Sequence, residues 1–184
     1  MRIITGTAKG LKLKTPRGHD VRPTTDRVKE SLFAILADRV AGAAVADLFA
    51  GTGNLGLEAL SRGAAAAVFV DASPASIALI RDNAALARLA ERAEIHRKDA
   101  LAAVGHFARS GRTFDLIFCD PPYNKGLAAA IINKIDAGNI LRPGGVAIIE
   151  HSRHEPLPDG LINLTVSRTE RYGETLLTFL GHTT

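Results

Sequence analysis

From residue 44 onward, short apolar runs alternate with longer stretches in which apolar side chains recur every three or four positions. This is the pattern of βαβ units that build a parallel sheet. It predicts strands at 44–48, 67–71, 93–97, 114–119 and 145–150, with helices near 54–62, 73–88, 100–109 and 125–137. Ser73 serves as the cap of the second of these helices, with Pro74 in its first turn. Arg142-Pro143-Gly144-Gly145 is expected to stop the chain and turn it into the fifth strand. The runs Leu161 to Arg171 and Thr175 to Leu180 flank Tyr172-Gly173 and predict a hairpin adding antiparallel strands at one sheet edge.

The first 40 residues follow a different pattern. Arg2 to Thr5 and Leu11 to Lys14 predict a β-hairpin across a Gly6-to-Gly10 turn. A helix follows Arg22-Pro23-Thr24-Thr25 and runs to about Val40, with either threonine able to cap it and Val28, Leu32, Ile35 and Leu36 on one apolar face. The expected architecture is therefore α/β: a Rossmann-like, doubly wound, mostly parallel sheet of seven strands over residues 41–184, preceded by a small hairpin-and-helix extension over 1–40.

Composition narrows the classes. A chain of 184 residues, 46% hydrophobic and 23% charged, is long enough for a sizeable core and too apolar for a disordered segment. The single Cys119 excludes an intrachain disulfide and a multi-cysteine zinc site. No apolar stretch is long enough for a membrane helix, and Met1 to Lys14 lacks a signal-peptide core, so a cytoplasmic protein is expected.

Charge is unevenly placed. The net charge is +4, but residues 1–30 alone carry +5, from Arg2, Lys9, Lys12, Lys14, Arg17, Arg22, Arg27 and Lys29 against Asp20, Asp26 and Glu30, which leaves −1 for the rest. Such a run is either a solvated face or an arm for a polyanion. Its interleaving by Gly6, Gly10, Pro16 and Gly18 puts the charges on short turn-linked segments that suit a groove-tracking arm, with Lys9, Lys12, Lys14, Arg17, Arg22 and Arg27 as candidate nucleic-acid contacts.

Three strand ends carry candidate chemistry. Asp47-Leu-Phe49-Ala-Gly51-Thr-Gly53-Asn-Leu-Gly56 lies where the first parallel strand passes into its helix, the place where open α/β sheets bind ligands. The contained GxGxxG also serves dinucleotides. Asp47 would repel a pyrophosphate, whereas it suits a ligand carrying an ammonium and a sulfonium, as S-adenosylmethionine does. Asp71 closes the second strand 24 residues later, near the offset at which a carboxylate accepts ribose hydroxyls, although it could equally be a charge at a helix start. Asp99, followed by Ala100 at the end of the third strand, either accepts from an adenine amine or caps a helix.

The sharpest signal is Asp120-Pro121-Pro122-Tyr123 directly after a buried strand. Two prolines fix two φ angles and remove two N–H donors, so the loop is built to accept hydrogen bonds. An exocyclic amine on a base ring is a poor nucleophile because its lone pair is delocalised. If Asp120 and the Pro121 carbonyl accept its hydrogens, the nitrogen can pyramidalise toward a methyl donor while Tyr123 stacks on the base and Pro122 stiffens the loop. Cys119 reads as a core residue without a partner base, and His151 and His154 beside Glu150 and Glu155 are a weak metal-site pattern, so no metal is expected.

Together Arg2-Ile-Ile-Thr-Gly6 with Lys9-Gly10, Arg22-Pro-Thr-Thr-Asp-Arg27-Val-Lys-Glu-Ser-Leu-Phe, the Asp47-to-Gly56 loop, Asp120-Pro-Pro-Tyr123 and Tyr172-Gly-Glu-Thr175 resemble class I S-adenosylmethionine-dependent methyltransferases, and among them the RsmD family. The resemblance spans nearly the whole chain and implies methylation of the exocyclic N2 of a guanine in small-subunit ribosomal RNA. The implied partner is that RNA or a small-subunit assembly particle, met by a monomer. Asp71 stands where many methyltransferases carry glutamate. A DNA adenine-N6 methyltransferase would share the loop and the stack, but such enzymes usually add a recognition domain, and only about 40 residues lie outside the sheet here. A non-catalytic RNA-binding module would have no use for intact cofactor and amine-acceptor loops.

Overall fold

The computed structural model describes residues 1–17 and 23–183, so the candidate contact Arg22 lies outside the described residues. Strands β1 (Ala44–Leu48), β2 (Ala66–Asp71), β3 (Ala93–Arg97), β4 (Phe114–Cys119), β5 (Leu141–Ser152), β6 (Leu164–Tyr172) and β7 (Thr175–His182) form one sheet in the order β3-β2-β1-β4-β5-β7-β6. β1 to β5 are mutually parallel, and β7 runs antiparallel between β5 and the edge strand β6. Strand order reverses between β1 and β4, so the loops after these strands open on the same crevice.

Helices cover both faces, and the alternation of side chains along the strands divides the core in two. On one side α1 (Pro23–Leu36), α2 (Asn54–Ser61) and α3 (Pro74–Leu86) bury Leu32, Phe33, Leu57, Leu60 and Ile80 against Val45, Phe69, Phe118 and Ile148. On the other, α4 (Ala100–Ser110) and α5 (Leu127–Gly138) bury Val104, Phe107, Ile131 and Ile135 against Ala46, Val68, Ile117 and Ile149. Among the described residues no helix is long and apolar enough to cross a membrane.

Three elements differ from the sequence expectation. Thr24 and Thr25 lie inside α1 rather than before it, because Pro23 already takes the first helical position. β5 begins at Leu141, so Arg142-Pro143-Gly144-Gly145 is absorbed into the strand instead of stopping the chain. Pairing with β4 jumps from Leu141 to Val146 while β4 advances only from Phe114 to Leu116, and Gly144 takes φ 78° within the resulting bulge. The third difference is in the N-terminal hairpin, reduced to a single bridge between Arg2 and Lys12, with Ile3 N donating to Leu11 O at 2.9 Å and Leu13 N to Met1 O at 3.0 Å.

The hairpin stays short because its backbone is claimed by α2. Ile4 N and Thr5 N donate to the Glu58 carboxylate at 2.8 and 3.1 Å, and Thr7 N donates to Ser61 O at 2.9 Å. Gly6, at φ +93°, lies so close that a Cβ would stand 1.8 Å from Ser61 O, which only glycine avoids. Glu58 is wholly buried and pairs with the buried Lys29 of α1 at 3.1 Å and with Arg62 at 2.8 Å. Lys29 also donates to Asn54 Oδ1 at 2.7 Å and to Arg2 O. Ile3 and Leu13 enter the same apolar core as the sheet.

Removing one partner of a buried charge cluster leaves the others unpaired, at a cost of about 3–5 kcal/mol. Glu58→Gln should therefore lower the free energy of unfolding by that order in urea titration. A Glu58→Gln, Lys29→Met double variant should lose less than Glu58→Gln alone, because it leaves no lone buried lysine charge while the glutamine oxygen still accepts from the arm.

Candidate active site

The glycine loop is shaped by two different demands on glycine. Gly51 and Gly53 take φ 58° and 80°, and Gly53 begins α2 as its N-cap. Gly56 is fixed by packing: a Cβ there would stand 2.3 Å from Phe69 Cε1 of β2. Phe49 itself sits at φ 62°, an unfavourable conformation for a bulky side chain and one that turns the chain sharply out of β1.

Two carboxylates brace this loop. Asp47 Oδ2 accepts from Gly56 N at 2.9 Å, and Asp71 accepts from Gly51 N and Ser73 N, both at 2.9 Å. Asp47 is buried, and burial pushes its pKa up to about 8, with Asp71 adding to the rise and the Gly56 hydrogen bond opposing it. Asp99 caps α4 by accepting from Ala102 N at 3.0 Å, so its capping role is realised. Asp71 and Asp99, with Phe49, Val70, Ala100, Pro121 and Leu127, line a cavity of about 590 Å³ on this side of the crevice.

A second cavity, of about 750 Å³, lies between α1 and the strand ends and is lined by Lys29, Leu32, Asp47, Phe118, Asp120, Ile148, Glu150 and Thr175 among others. The two cavities meet at Phe49, Asp120 and Tyr123. Asp120 opens to the crevice, while Pro121 behind it is buried. Enclosure by the crevice walls pushes the Asp120 pKa well above the usual carboxylate range, and the charges of Glu150 and Asp47 push it further.

Tyr123 is the half-open wall between the cavities. Its hydroxyl donates to Glu150 Oε1 at 2.6 Å and lies 3.0 Å from Thr175 Oγ1, so the ring is held at its tip while the residue stays partly exposed. Burial and the Glu150 hydrogen bond hold the phenol protonated. Glu150 and Thr175 were not among the expected site residues. The signal for Glu150 was its position at a parallel strand end, the position that singled out Asp47, Asp71 and Asp120.

Of the candidate basic contacts, Lys9, Lys12, Arg17 and Arg27 are exposed and have no carboxylate within 4.0 Å among the described residues. Lys14 is exposed but paired with Asp82 at 2.8 Å. Its backbone is clamped by Asn83, which accepts from Lys14 N at 2.7 Å and donates to Lys14 O and Thr52 O, both at 3.0 Å. Cys119 is buried at the end of β4, with its thiol pKa pushed up by burial. His151 is buried against Ser152 O and Thr178 Oγ1, whereas His154 pairs with Glu174 at the surface, so the two do not converge.

The raised Asp47 value has a definite sign. The folded protein keeps a proton that the unfolded chain releases near pH 3.8, so the stabilisation is complete below that pH and is lost as pH rises through about 8. Asp120 and Glu150 shift in the same direction. The melting temperature of the ligand-free protein should fall between pH 4 and 8, and Asp47→Asn should flatten that fall. A wild-type melting curve that is level across this interval would show Asp47 to be ionised throughout.

Comparison with known proteins agrees with this geometry. The family model described as Conserved hypothetical protein 95 matches residues 1–181. The chain is 36% identical over 175 residues to ribosomal RNA small subunit methyltransferase D of Escherichia coli K12, covering 95% of this chain and 86% of that protein. The solved structure of yhhF from Escherichia coli superposes with TM-score 0.85 at 32% identity, over 99% of this chain and 97% of that one. A Thermus thermophilus 16S rRNA N2 G1207 methyltransferase, solved with AdoMet and guanosine, superposes with TM-score 0.71 at 26% identity, over 91% of this chain and 45% of that one. A match across nearly the entire length, joined to a sheet whose glycine loop and Asp-Pro-Pro-Tyr loop flank one crevice, means that the chain belongs to the Conserved hypothetical protein 95 family, that of the RsmD-type methyltransferases.

Proposed function

We propose that the protein transfers a methyl group from S-adenosylmethionine to the exocyclic N2 of a guanine in small-subunit ribosomal RNA. The observation that carries this reading is the meeting of two cavities at Phe49, Asp120 and Tyr123, one against the strand-end carboxylates Asp71 and Asp99, the other running from Asp47 and the glycine loop to the N-terminal arm at Met1, Thr15 and Pro16. The solved relative that carries both AdoMet and guanosine and is named for N2 methylation supports the choice of base and atom.

The residues present fit this cofactor. The first cavity offers apolar walls at Phe49, Val70, Ala100 and Leu127 for a flat ring system, with Asp71 and Asp99 at its polar side. The buried Asp47 and the exposed Asp120 line the same cavity, where Lys29, itself buried, is already paired with Glu58. Such a site favours a cation. When bound, S-adenosylmethionine supplies an electrophilic methyl carbon whose bond to sulfur breaks as the bond to the base nitrogen forms.

The chain's own residues prepare the nitrogen. Asp120 and the Pro121 carbonyl accept the two amine hydrogens, which withdraws the nitrogen lone pair from the ring and aims it across the junction of the cavities. Pro121 and Pro122 keep these acceptors in place without backbone N–H groups that would compete. Tyr123, tethered through Glu150 and Thr175, offers its exposed face to the base. After transfer the nitrogen carries one proton too many, and Asp120, whose raised pKa suits a proton acceptor, takes it.

The arm supplies the hold on RNA. Lys9, Lys12, Arg17 and Arg27 are exposed, with no carboxylate within 4.0 Å among the described residues, and Met1, Thr15 and Pro16 of the same arm wall the second cavity. A monomer acting in the cytoplasm on ribosomal RNA or an assembling small subunit fits this arrangement.

Incubation with tritiated S-adenosylmethionine and ribosomal particles, naked ribosomal RNA or DNA, followed by nucleoside analysis, tests the reading. N2-methylguanosine is expected, and N6-methyladenosine would overturn it. Asp120→Ala should lower turnover at saturating cofactor by about 10²-fold or more. Replacing Lys9, Lys12, Arg17 and Arg27 together by Ala should weaken RNA binding and reduce the logarithmic salt slope by roughly 0.7–0.9 for each phosphate that is no longer neutralised. An unchanged slope would make the arm a solvated face.

A further inference from the structure

Glu150 stands beside the amine-acceptor loop without a role in holding the amine. β4 and β5 are parallel neighbours in register at Cys119 and Ile149, so the next residue of each, Asp120 and Glu150, emerge side by side, roughly 4.8 Å apart along the sheet. Both line the cavity under α1, together with Phe118 and Ile148. Only one oxygen of Glu150 is engaged: Oε1 accepts from Tyr123, while Oε2 has no hydrogen-bond partner among the described residues. Tyr123 thus fixes the direction of the carboxyl group and leaves one acceptor over.

The bases that carry an exocyclic amine differ in the ring nitrogen next to it. Guanine has N1–H, a donor, beside its N2 amine. Adenine has a bare lone pair at N1 beside N6, and cytosine has one at N3 beside N4. A carboxylate oxygen placed one strand spacing from the amine acceptor gains a charge-assisted hydrogen bond from the first and faces a lone pair on the other two.

We propose that Glu150 selects the base: Oε2 accepts the N1–H of the guanine whose N2 amine is held by Asp120 and the Pro121 carbonyl, and its lone pairs turn away adenine and cytosine. This rests on the reading of the site as a guanine-N2 methyltransferase. Tyr123 then has a double part, as the base platform and as the group that orients the selecting carboxylate. Burial raises the Glu150 pKa while the Tyr123 hydrogen bond opposes the rise, so Tyr123 also favours the ionised, accepting form.

2-Aminopurine isolates the interaction, because it keeps the 2-amine but carries a bare lone pair at N1. The wild type is first used to locate the guanine it methylates. A synthetic RNA spanning that site, naked or in a reconstituted particle if the wild type requires one, is then prepared with guanine or 2-aminopurine at the one position. Wild-type kcat/KM should favour guanine by roughly 5- to 150-fold, the range that one good base-edge contact supplies. In Glu150→Gln the side-chain amide can donate to a bare N1 or accept from N1–H, so the ratio should fall toward one. The S-adenosylmethionine dissociation constant checks that the near-isosteric variant is folded.

A wild type that methylates both RNAs equally would overturn the proposal without any variant, and so would a Glu150→Gln enzyme with the wild-type ratio. A wild type that yields no N2-methylguanosine would remove the guanine-N2 reading itself, a different result from either of these.

Discussion

Glu58 is the point at which the N-terminal arm, the first helix and the cofactor loop are held to one another. Its two oxygens receive Ile4 N, Thr5 N, Lys29 and Arg62, and Lys29 in turn reaches Asn54, the first residue of α2. A carboxylate with no exposure is tolerated only when fully paired, so its partners are in effect required together. The consequence is geometric. The basic N-terminal segment cannot shift without disturbing the helix whose N-terminus closes the glycine loop. Asn83 makes the same connection a second time, linking Lys14 on the arm to Thr52 in the loop.

The crevice itself has the opposite character. Its carboxylates are under-compensated: Asp47 receives a backbone N–H, and Glu150 a phenol, but the Asp120 pKa is raised by enclosure and further by Glu150 and Asp47. Repulsion of this kind costs stability, which the paired charges at Glu58 and the two apolar layers offset elsewhere in the fold. Burial and neighbouring carboxylates hold these groups toward the protonated form, so a cationic ligand binds with their ionisation and gains charged contacts that the free site lacks. Paired charge on the scaffold side and unpaired charge on the crevice side are thus complementary uses of the same residue types.

The sheet was legible because parallel strands buried on both faces read as apolar runs, and because Gly51, Gly53 and Asp120-Pro-Pro-Tyr123 mark the ends of β1 and β4 locally. What escaped depended on distance along the chain. The hairpin shrank to one bridge because Glu58, more than fifty residues away, competes for its N–H groups. Lys29 entered only as part of the +5 charge of residues 1–30, and its burial against Glu58 becomes visible only when α1 is packed on α2. β5 extended through Pro143 because a bulge opposite Asp115 accommodates what would otherwise end a strand. Lys14 looked available until Asp82 was brought beside it by α3.

Glu150 shows the same limit in the site. Within the sequence it stands beside two histidines and invites a metal reading, but those histidines turn to Thr178 and Glu174 while Glu150 turns to Tyr123. Its meaning comes from the sheet: parallel pairing at Cys119 and Ile149 sets it next to Asp120, and the antiparallel β7 brings Thr175 to share Tyr123 with it. Residues from the ends of β4, β5 and β7 therefore converge on one aromatic side chain. Tyr123 is tethered from two strands because β7 lies beside β5, so the antiparallel insertion at the sheet edge contributes to the crevice wall as well as closing the fold.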